Sequence, residues 1–197
     1  NTSARKSILF KLKKIKEVPE IKKPTFVFAH FLLPHLPYMF DRNGQEFTDA
    51  KKKDKTLNEQ YIEQLIFTNN QIIALIETIL EKSSIQPIII LQSDEGPFPS
   101  QYQVSPTAYK KFKYAEVPDI ELKQKTGILQ ALYFPAIDTS RLYPTVSPVN
   151  SFRILFNEYF KSNLEILPDK VFAIRDSYHP YVFFEVTNRL IASENQK

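Results

Sequence analysis

The spacing of apolar residues along the chain predicts two helices in its first half. Ile8 and Leu12 lie one helical turn apart, which indicates a helix that ends before Pro19. Thr56 stands three residues ahead of Glu59, the spacing of a capping box, and opens the longest helical pattern of the chain. Its apolar stripe consists of Tyr61, Ile62, Leu65, Ile66, Ile72, Ile73, Ile76, Ile79 and Leu80.

Nearly continuous apolar runs predict a strand on each side of this long helix. Residues 25–31 read Thr-Phe-Val-Phe-Ala-His-Phe, and residues 87–93 read Pro-Ile-Ile-Ile-Leu-Gln-Ser. Strands that are apolar on both faces are typical of a sheet covered on both sides. The order strand, helix, strand predicts a right-handed crossover between two parallel strands.

The second half of the chain repeats this pattern more loosely. It predicts a short helix over residues 122–126, a strand over 129–134, a helix with Ser147 as N-cap and Pro148 at its first position, and aromatic strands near 171–174 and 181–186. The pattern as a whole predicts an α/β fold with a largely parallel sheet.

The counts of glycine and cysteine exclude several classes of protein. The 197 residues include three glycines, Gly44, Gly96 and Gly127, and they fit neither a P-loop nor a dinucleotide-binding fingerprint. The chain has no cysteine, which excludes a disulfide, a thiolate zinc site and a cysteine nucleophile.

The net charge of +4 is concentrated in two short stretches. Residues 1–23 carry eight Lys or Arg against two Glu, and residues 51–55 carry four Lys. We expect residues 1–23 to form a basic amphipathic helix and linker ahead of one domain over 24–197. Such a helix usually presents a solvated face, with anionic lipid or nucleic acid as alternative partners. We expect no nucleic acid, because the basic residues are confined and most aromatic residues fall in predicted strands.

Polar side chains follow the first two predicted strands, where ligands bind in open α/β sheets. His30, His35 and Tyr38 follow the first strand, and Asp94 and Glu95 follow the second. Adjacent carboxylates suit a divalent cation, because oxygen ligands balance its charge. The alternative is that the carboxylates cap a turn and that His35 packs between prolines.

Three blocks of the sequence resemble the sulfatase-like domains of membrane-anchored bacterial proteins. They are residues 26–44, with Phe-Val-Phe-Ala-His, Pro-His-Leu-Pro-Tyr and Phe-Asp-Arg-Asn-Gly; residues 88–97, with Ser-Asp-Glu-Gly-Pro; and residues 142–169, with Leu-Tyr-Pro, Ser-Pro-Val-Asn-Ser-Phe-Arg and Leu-Pro-Asp. These domains belong to the alkaline phosphatase superfamily, with lipoteichoic acid synthases and phosphoethanolamine transferases. The resemblance covers most of the chain after residue 20. It implies a three-layer sandwich, as the C-terminal part of an alkaline-phosphatase-like fold.

The resemblance also implies roles for individual residues. Asp94 matches the metal-binding aspartate of the family, and His35 matches a histidine near the reacting phosphate or sulfate, with His30 and Tyr38 as further substrate-binding residues. Glu95 stands where the family usually has a metal-binding histidine. Replacing imidazole by carboxylate favours Mg²⁺, Mn²⁺ or Ca²⁺ over Zn²⁺, or marks a site that has lost tight metal binding.

Two functions follow from the resemblance. In this family the nucleophilic Thr or Ser comes from upstream of the matched blocks, so the sequence identifies no catalytic residue in this chain. The first hypothesis is part of an extracytoplasmic, envelope-associated, metal-dependent phosphoryl or sulfuryl hydrolase or transferase. It would act on an envelope lipid or glycan, and would need the upstream half of its domain and an N-terminal membrane anchor. The alternative is a non-catalytic sulfatase-like binding or structural module.

The two hypotheses differ in what they require of the Asp94–Glu95 pair. Metal binding by Asp94 together with His35 favours the enzyme. Pairing of Glu95 with a nearby Lys or Arg favours the non-catalytic module.

Overall fold

A computed structural model describes residues 2–103 and 107–192, which contain six α-helices and four short β-strands. The helices are α1 (Thr2–Ile15), α2 (Asp49–Lys52), α3 (Leu57–Lys82), α4 (Asp119–Thr126), α5 (Pro148–Phe160) and α6 (Thr187–Ala192). The strands are β1 (Ile89–Gln92), β2 (Gln130–Tyr133), β3 (Phe172–Ile174) and β4 (Phe183–Glu185). The chain divides into a first unit, Asn1–Pro87, and a second unit, Ile88–Lys197.

The expected three-layer α/β sandwich with a largely parallel sheet is wrong. The strands of the described residues form two separate two-stranded antiparallel sheets, β1 with β2 and β3 with β4. Ile89 lies opposite Tyr133 and Gln92 opposite Gln130. The apolar run after the long helix therefore pairs with a strand that follows it in the sequence, and not with the strand predicted before the helix. A continuous apolar run indicates that both faces of a strand are buried, but it does not determine whether the partner strand is parallel or antiparallel.

The strand predicted over residues 25–31 is absent as well. Residues 22–30 are all exposed, and Phe26 and Phe28 expose 79% and 84% of their full residue surface. In the described part of the chain, no backbone–backbone hydrogen bond involves residues 22–33. With no partner strand beside it, this apolar segment runs through the first unit as irregular chain.

The helices of the first unit confirm the helical predictions. Helix α1 ends at Ile15 and α3 begins directly after Thr56, whose hydroxyl accepts a hydrogen bond from the Glu59 amide at 3.2 Å. The Glu59 carboxylate accepts the Thr56 amide in return at 2.7 Å, which completes the capping box. Buried apolar side chains from α1, α3 and residues 39–40 form one core; they are Ile8, Leu12, Met39, Phe40 and Phe67.

The second unit has two apolar clusters of described residues. One surrounds Phe112, which is 1% exposed, and includes Val117, Leu122, Ala173 and Val186. The other joins β2 to α5 through Phe134, Ile154 and Leu155. Helix α5 begins at Pro148 as predicted, although Ser147 does not cap it through its hydroxyl. The Asp169 carboxylate accepts the Ser147 amide at 2.7 Å and supplies the negative charge that a helix N-terminus favours.

Candidate functional site

The turn after β1 carries the two carboxylates that the sequence singles out. Asp94 is exposed, and its carboxylate accepts the backbone amide of Glu95 at 3.0 Å. Gly96 follows in a close contact with the end of α4, where its amide donates to the Lys125 carbonyl at 2.9 Å. A Cβ at position 96 would lie 2.0 Å from the carbonyl oxygen of Gln124, so only glycine fits there.

A buried lysine of α4 holds this turn from the inside. The Lys125 ammonium forms an ion pair with the Glu95 carboxylate and donates to the Gly96 carbonyl at 3.2 Å. It also lies 3.8 Å from the centre of the Phe98 ring, a cation–π contact. Lys125 is 2% exposed, whereas half of the Glu95 side chain faces solvent. A carboxylate, a backbone carbonyl and an aromatic ring of this turn therefore all contact the Lys125 ammonium.

Aromatic rings surround the buried side of the turn. Phe98, Tyr102 and Tyr114 each pack edge-on against Phe112, with ring centres 4.9–5.4 Å apart. Burial raises the pKa of Tyr114, and the negative charge of Glu95 raises it further. The described part of the long loop after β1 thus contributes to an aromatic cluster, and its Phe98 ring covers one side of Lys125.

The predicted substrate-binding residues lie in the first unit. His30 and His35 are exposed, and the Nδ1 atom of His35 lies 2.6 Å from the carbonyl oxygen of Leu36. Tyr38 is 4% exposed, and burial together with the nearby Tyr61 raises its pKa to about 12. Tyr38 is therefore a core residue, whereas the sequence resemblance predicts that it binds substrate.

Gln64 of α3 holds the backbone on which His35 and Tyr38 lie. Its side-chain oxygen accepts the amides of Met39 at 2.6 Å and Phe40 at 3.2 Å. Its side-chain nitrogen donates to the carbonyls of Pro34 at 3.1 Å and His35 at 3.0 Å. One fully buried side chain thus fixes residues 34–40 against the helix.

The structure brings Asp94 and Glu95 together and adds Lys125, while the residues of the other predicted group belong to the first unit. Lys125 and Gln64 were both missed by the sequence reasoning. Gln64 carried a signal, since it lies three residues from both Tyr61 and Phe67, two aromatic residues of α3. Lys125 carried none, because α4 has no clear apolar face from which a buried position could be read.

The donors that the structure describes do not form a complete metal site. Among the described residues, no group of three or more His, Asp or Glu side chains is placed to hold a metal ion. The Glu95 carboxylate is engaged by Lys125, which leaves Asp94 as the carboxylate of the pair without an ion-pair partner in the described structure. One carboxylate does not hold a hard divalent cation tightly, because such ions take six or more oxygen ligands in proteins.

Comparison with known proteins gives no match: no protein-family model, no curated protein and no solved structure is significantly similar to this chain. Within residues 2–103 and 107–192, no helix combines the length and the apolar character needed to cross a membrane.

Proposed function

We propose that this chain is a non-catalytic sulfatase-like module of the cell envelope, with a binding or structural role. The observation that supports this is the ion pair between Glu95 and the buried Lys125. In the family that the sequence resembles, position 95 usually carries a histidine that binds a metal ion. Here the side chain at that position binds an ammonium group instead.

The charge of Lys125 does locally what a bound cation would do. It neutralises the Glu95 carboxylate, donates a hydrogen bond to the Gly96 carbonyl and lies over the Phe98 ring, and these three contacts hold the turn after β1 in place. A buried ammonium that lost these partners would carry a large desolvation penalty. Lys125 and Glu95 therefore stabilise each other in an arrangement that competes with metal ligation by Glu95.

A second candidate function has an observation of its own. The Asp94 carboxylate is exposed and is bonded, among the described contacts, only by the neighbouring Glu95 amide. This supports the chain as part of a phosphoryl or sulfuryl hydrolase or transferase whose remaining metal ligands and nucleophile come from other residues. In that case Asp94 contributes one oxygen ligand, and Glu95 and Lys125 shape the turn that presents it.

Calorimetric titration of the 197-residue chain with Mn²⁺, Mg²⁺, Ca²⁺ and Zn²⁺ tests the proposal. We expect no binding at micromolar affinity. Asp94→Ala and Glu95→Ala are the site variants, and Glu165→Ala, an exposed carboxylate of the same unit, is the matched control. Micromolar binding that both site variants abolish and the control retains would contradict the proposal and favour the hydrolase or transferase.

Lys125→Met provides the complementary measurement. If Lys125 is the structural cation of the turn, this variant has a lower melting temperature than the wild type, and added Mn²⁺ does not restore it. If instead the turn awaits a metal ion, Lys125→Met frees the Glu95 carboxylate, and Mn²⁺ raises the melting temperature of the variant. The second result would count against a non-catalytic module.

A further inference from the structure

Helix α1 has an outer face that its packing in the first unit leaves uncovered. Ile8 and Leu12 are 7% and 5% exposed and belong to the core, whereas Phe10 is 60% exposed. Each residue of a helix advances by about 100° around the axis, so Phe10 points away from both core residues. The same spacing places Lys6 and Lys13 beside Phe10, one turn before it and one turn after it.

Most lysines of this face have no ion-pair partner among the described residues. In the described part of the chain, Lys6, Lys11 and Lys13 take part in no ion pair or side-chain hydrogen bond, and all three are exposed. Lys14 pairs with Glu17 at 2.7 Å, and its ammonium lies 5.9 Å from the centre of the Phe10 ring. The outer face therefore combines unpaired positive charge with one exposed aromatic ring.

The second basic stretch of the sequence shows the opposite arrangement. Lys51 pairs with Asp41 at 2.6 Å, Lys52 approaches Asp49 at 4.0 Å, and Lys55 lies 3.6 Å from Glu63. Three of its four lysines thus lie within ion-pair distance of a carboxylate of the first unit. The two stretches look alike in the sequence, and the structure distinguishes the one whose charge is free for a partner.

We propose that the outer face of α1 binds an anionic lipid surface. Lysines near such a surface are attracted by its negative potential, and an exposed aromatic ring among them can insert at the headgroup level. Leu9, 39% exposed beside the lysines, adds to the apolar area that would be buried. This contact is made by the chain itself, and it does not depend on the function proposed for the turn after β1.

A lipid surface fits this face better than a nucleic acid does. Proteins that bind single-stranded nucleic acid stack successive bases on several aromatic rings along a basic groove. The outer face of α1 is convex and offers a single ring, Phe10. A convex basic face with one exposed ring can lie against a flat anionic lipid surface, where the lysines meet the negatively charged headgroups.

Vesicle co-sedimentation of the full chain tests the proposal. The probes are 100-nm vesicles of phosphatidylcholine alone and of phosphatidylcholine with roughly 30% phosphatidylglycerol, a fraction that gives a strongly anionic surface. We expect binding to the anionic vesicles only, weakening as salt is raised from about 50 to 300 mM. Lys6→Gln with Lys13→Gln should weaken binding by roughly 25-fold, since each lysine near an anionic surface contributes roughly fivefold.

Two control variants locate the contact. Lys110→Gln with Lys111→Gln removes the same charge from an exposed part of the second unit, and should leave binding unchanged. Phe10→Ser should weaken binding, whereas Phe160→Ser, at a ring 66% exposed on α5, should not. Equal losses for site and control variants would overturn the proposal.

Two further results would also overturn it. One is equal binding to neutral and anionic vesicles. The other is tighter binding to a single-stranded oligonucleotide than to the anionic vesicles, with the same dependence on Lys6 and Lys13, since this would assign the surface to nucleic acid. The altered residues are exposed, so circular dichroism should show all variants folded.

Discussion

The four hydrogen bonds of Gln64 allow a sharp prediction about what holds residues 34–40 in place. Gln64→Leu keeps the approximate volume of the side chain but removes every one of these bonds. The amides of Met39 and Phe40 lie in residues that are 6% and 0% exposed, so water cannot replace the lost acceptor. The carbonyl of His35 belongs to an exposed residue and can bind water instead.

The expected loss of stability follows from this difference between the buried amides and the more accessible carbonyls. A buried polar group without a partner costs about 1–3 kcal/mol, and two such amides cost about 4 kcal/mol. Burying a leucine in place of a glutamine returns about 1 kcal/mol through apolar area. We therefore expect Gln64→Leu to lower the free energy of unfolding by about 3 kcal/mol.

Urea denaturation followed by circular dichroism measures this loss. The matched control is Gln71→Leu, the same substitution two turns along α3, at a side chain with no hydrogen bond among the described contacts. Limited chymotrypsin digestion gives a local readout, since Tyr38 and Phe40 should be cleaved faster in Gln64→Leu. A difference of less than about 0.5 kcal/mol between the two leucine variants would show that the Gln64 hydrogen bonds do not hold this segment, because that is the size of an ordinary surface effect.

Three further predictions concern single residues. Hydrogen bonds from Arg42 lower the pKa of Glu63 from 4.5 to about 2, so the ionised Glu63 should stabilise the fold fully above pH 4.5 and progressively less towards pH 2. Glu63→Gln should lower the free energy of unfolding by about 1–2 kcal/mol at pH 7, and urea titrations of this variant should show a flatter acid dependence. Gly96→Ala should cost more than about 2 kcal/mol through its clash with Gln124, and an unchanged melting temperature would contradict the close packing. Asp169→Ala removes acceptors from the Ser147 amide and the Tyr143 hydroxyl, and should cost about 2 kcal/mol in thermal melts; a loss as small as that of Glu165→Ala would rule out this role.

The helices could be predicted from the sequence because their signals are local. The capping box of Thr56 and Glu59 and the proline that opens α5 each act within one turn, and both appear in the structure. The sheet could not be predicted, because strand pairing joins distant residues: Leu91 pairs with Ala131, forty positions along the chain. Apolar composition shows that a strand needs a neighbour without identifying which neighbour or in which direction.

The candidate site also has one part that local sequence indicates and one part that depends on tertiary packing. The position of Asp94 and Glu95 in a turn after an apolar strand is local information, and the structure places both there. The partner of Glu95 comes from α4, about thirty residues away, where a lysine in a largely polar helix looks like any solvated residue. Its burial depends on the tertiary packing of Phe98 and Gly96 around it.

The segment over residues 25–31, which is exposed up to His30 and packs against the core at Phe31, has a consequence for how the isolated chain behaves in solution. It contains three phenylalanines and a valine, with no proline, no glycine and no acidic or permanently charged residue. Such a segment with unpaired backbone amides and carbonyls is a template for intermolecular β-pairing. Lys22 and Lys23, separated from it by Pro24, oppose this association through charge repulsion. The solubility of the chain should therefore fall when salt screens these two lysines, and charged substitutions of Phe26 or Phe28 should restore it.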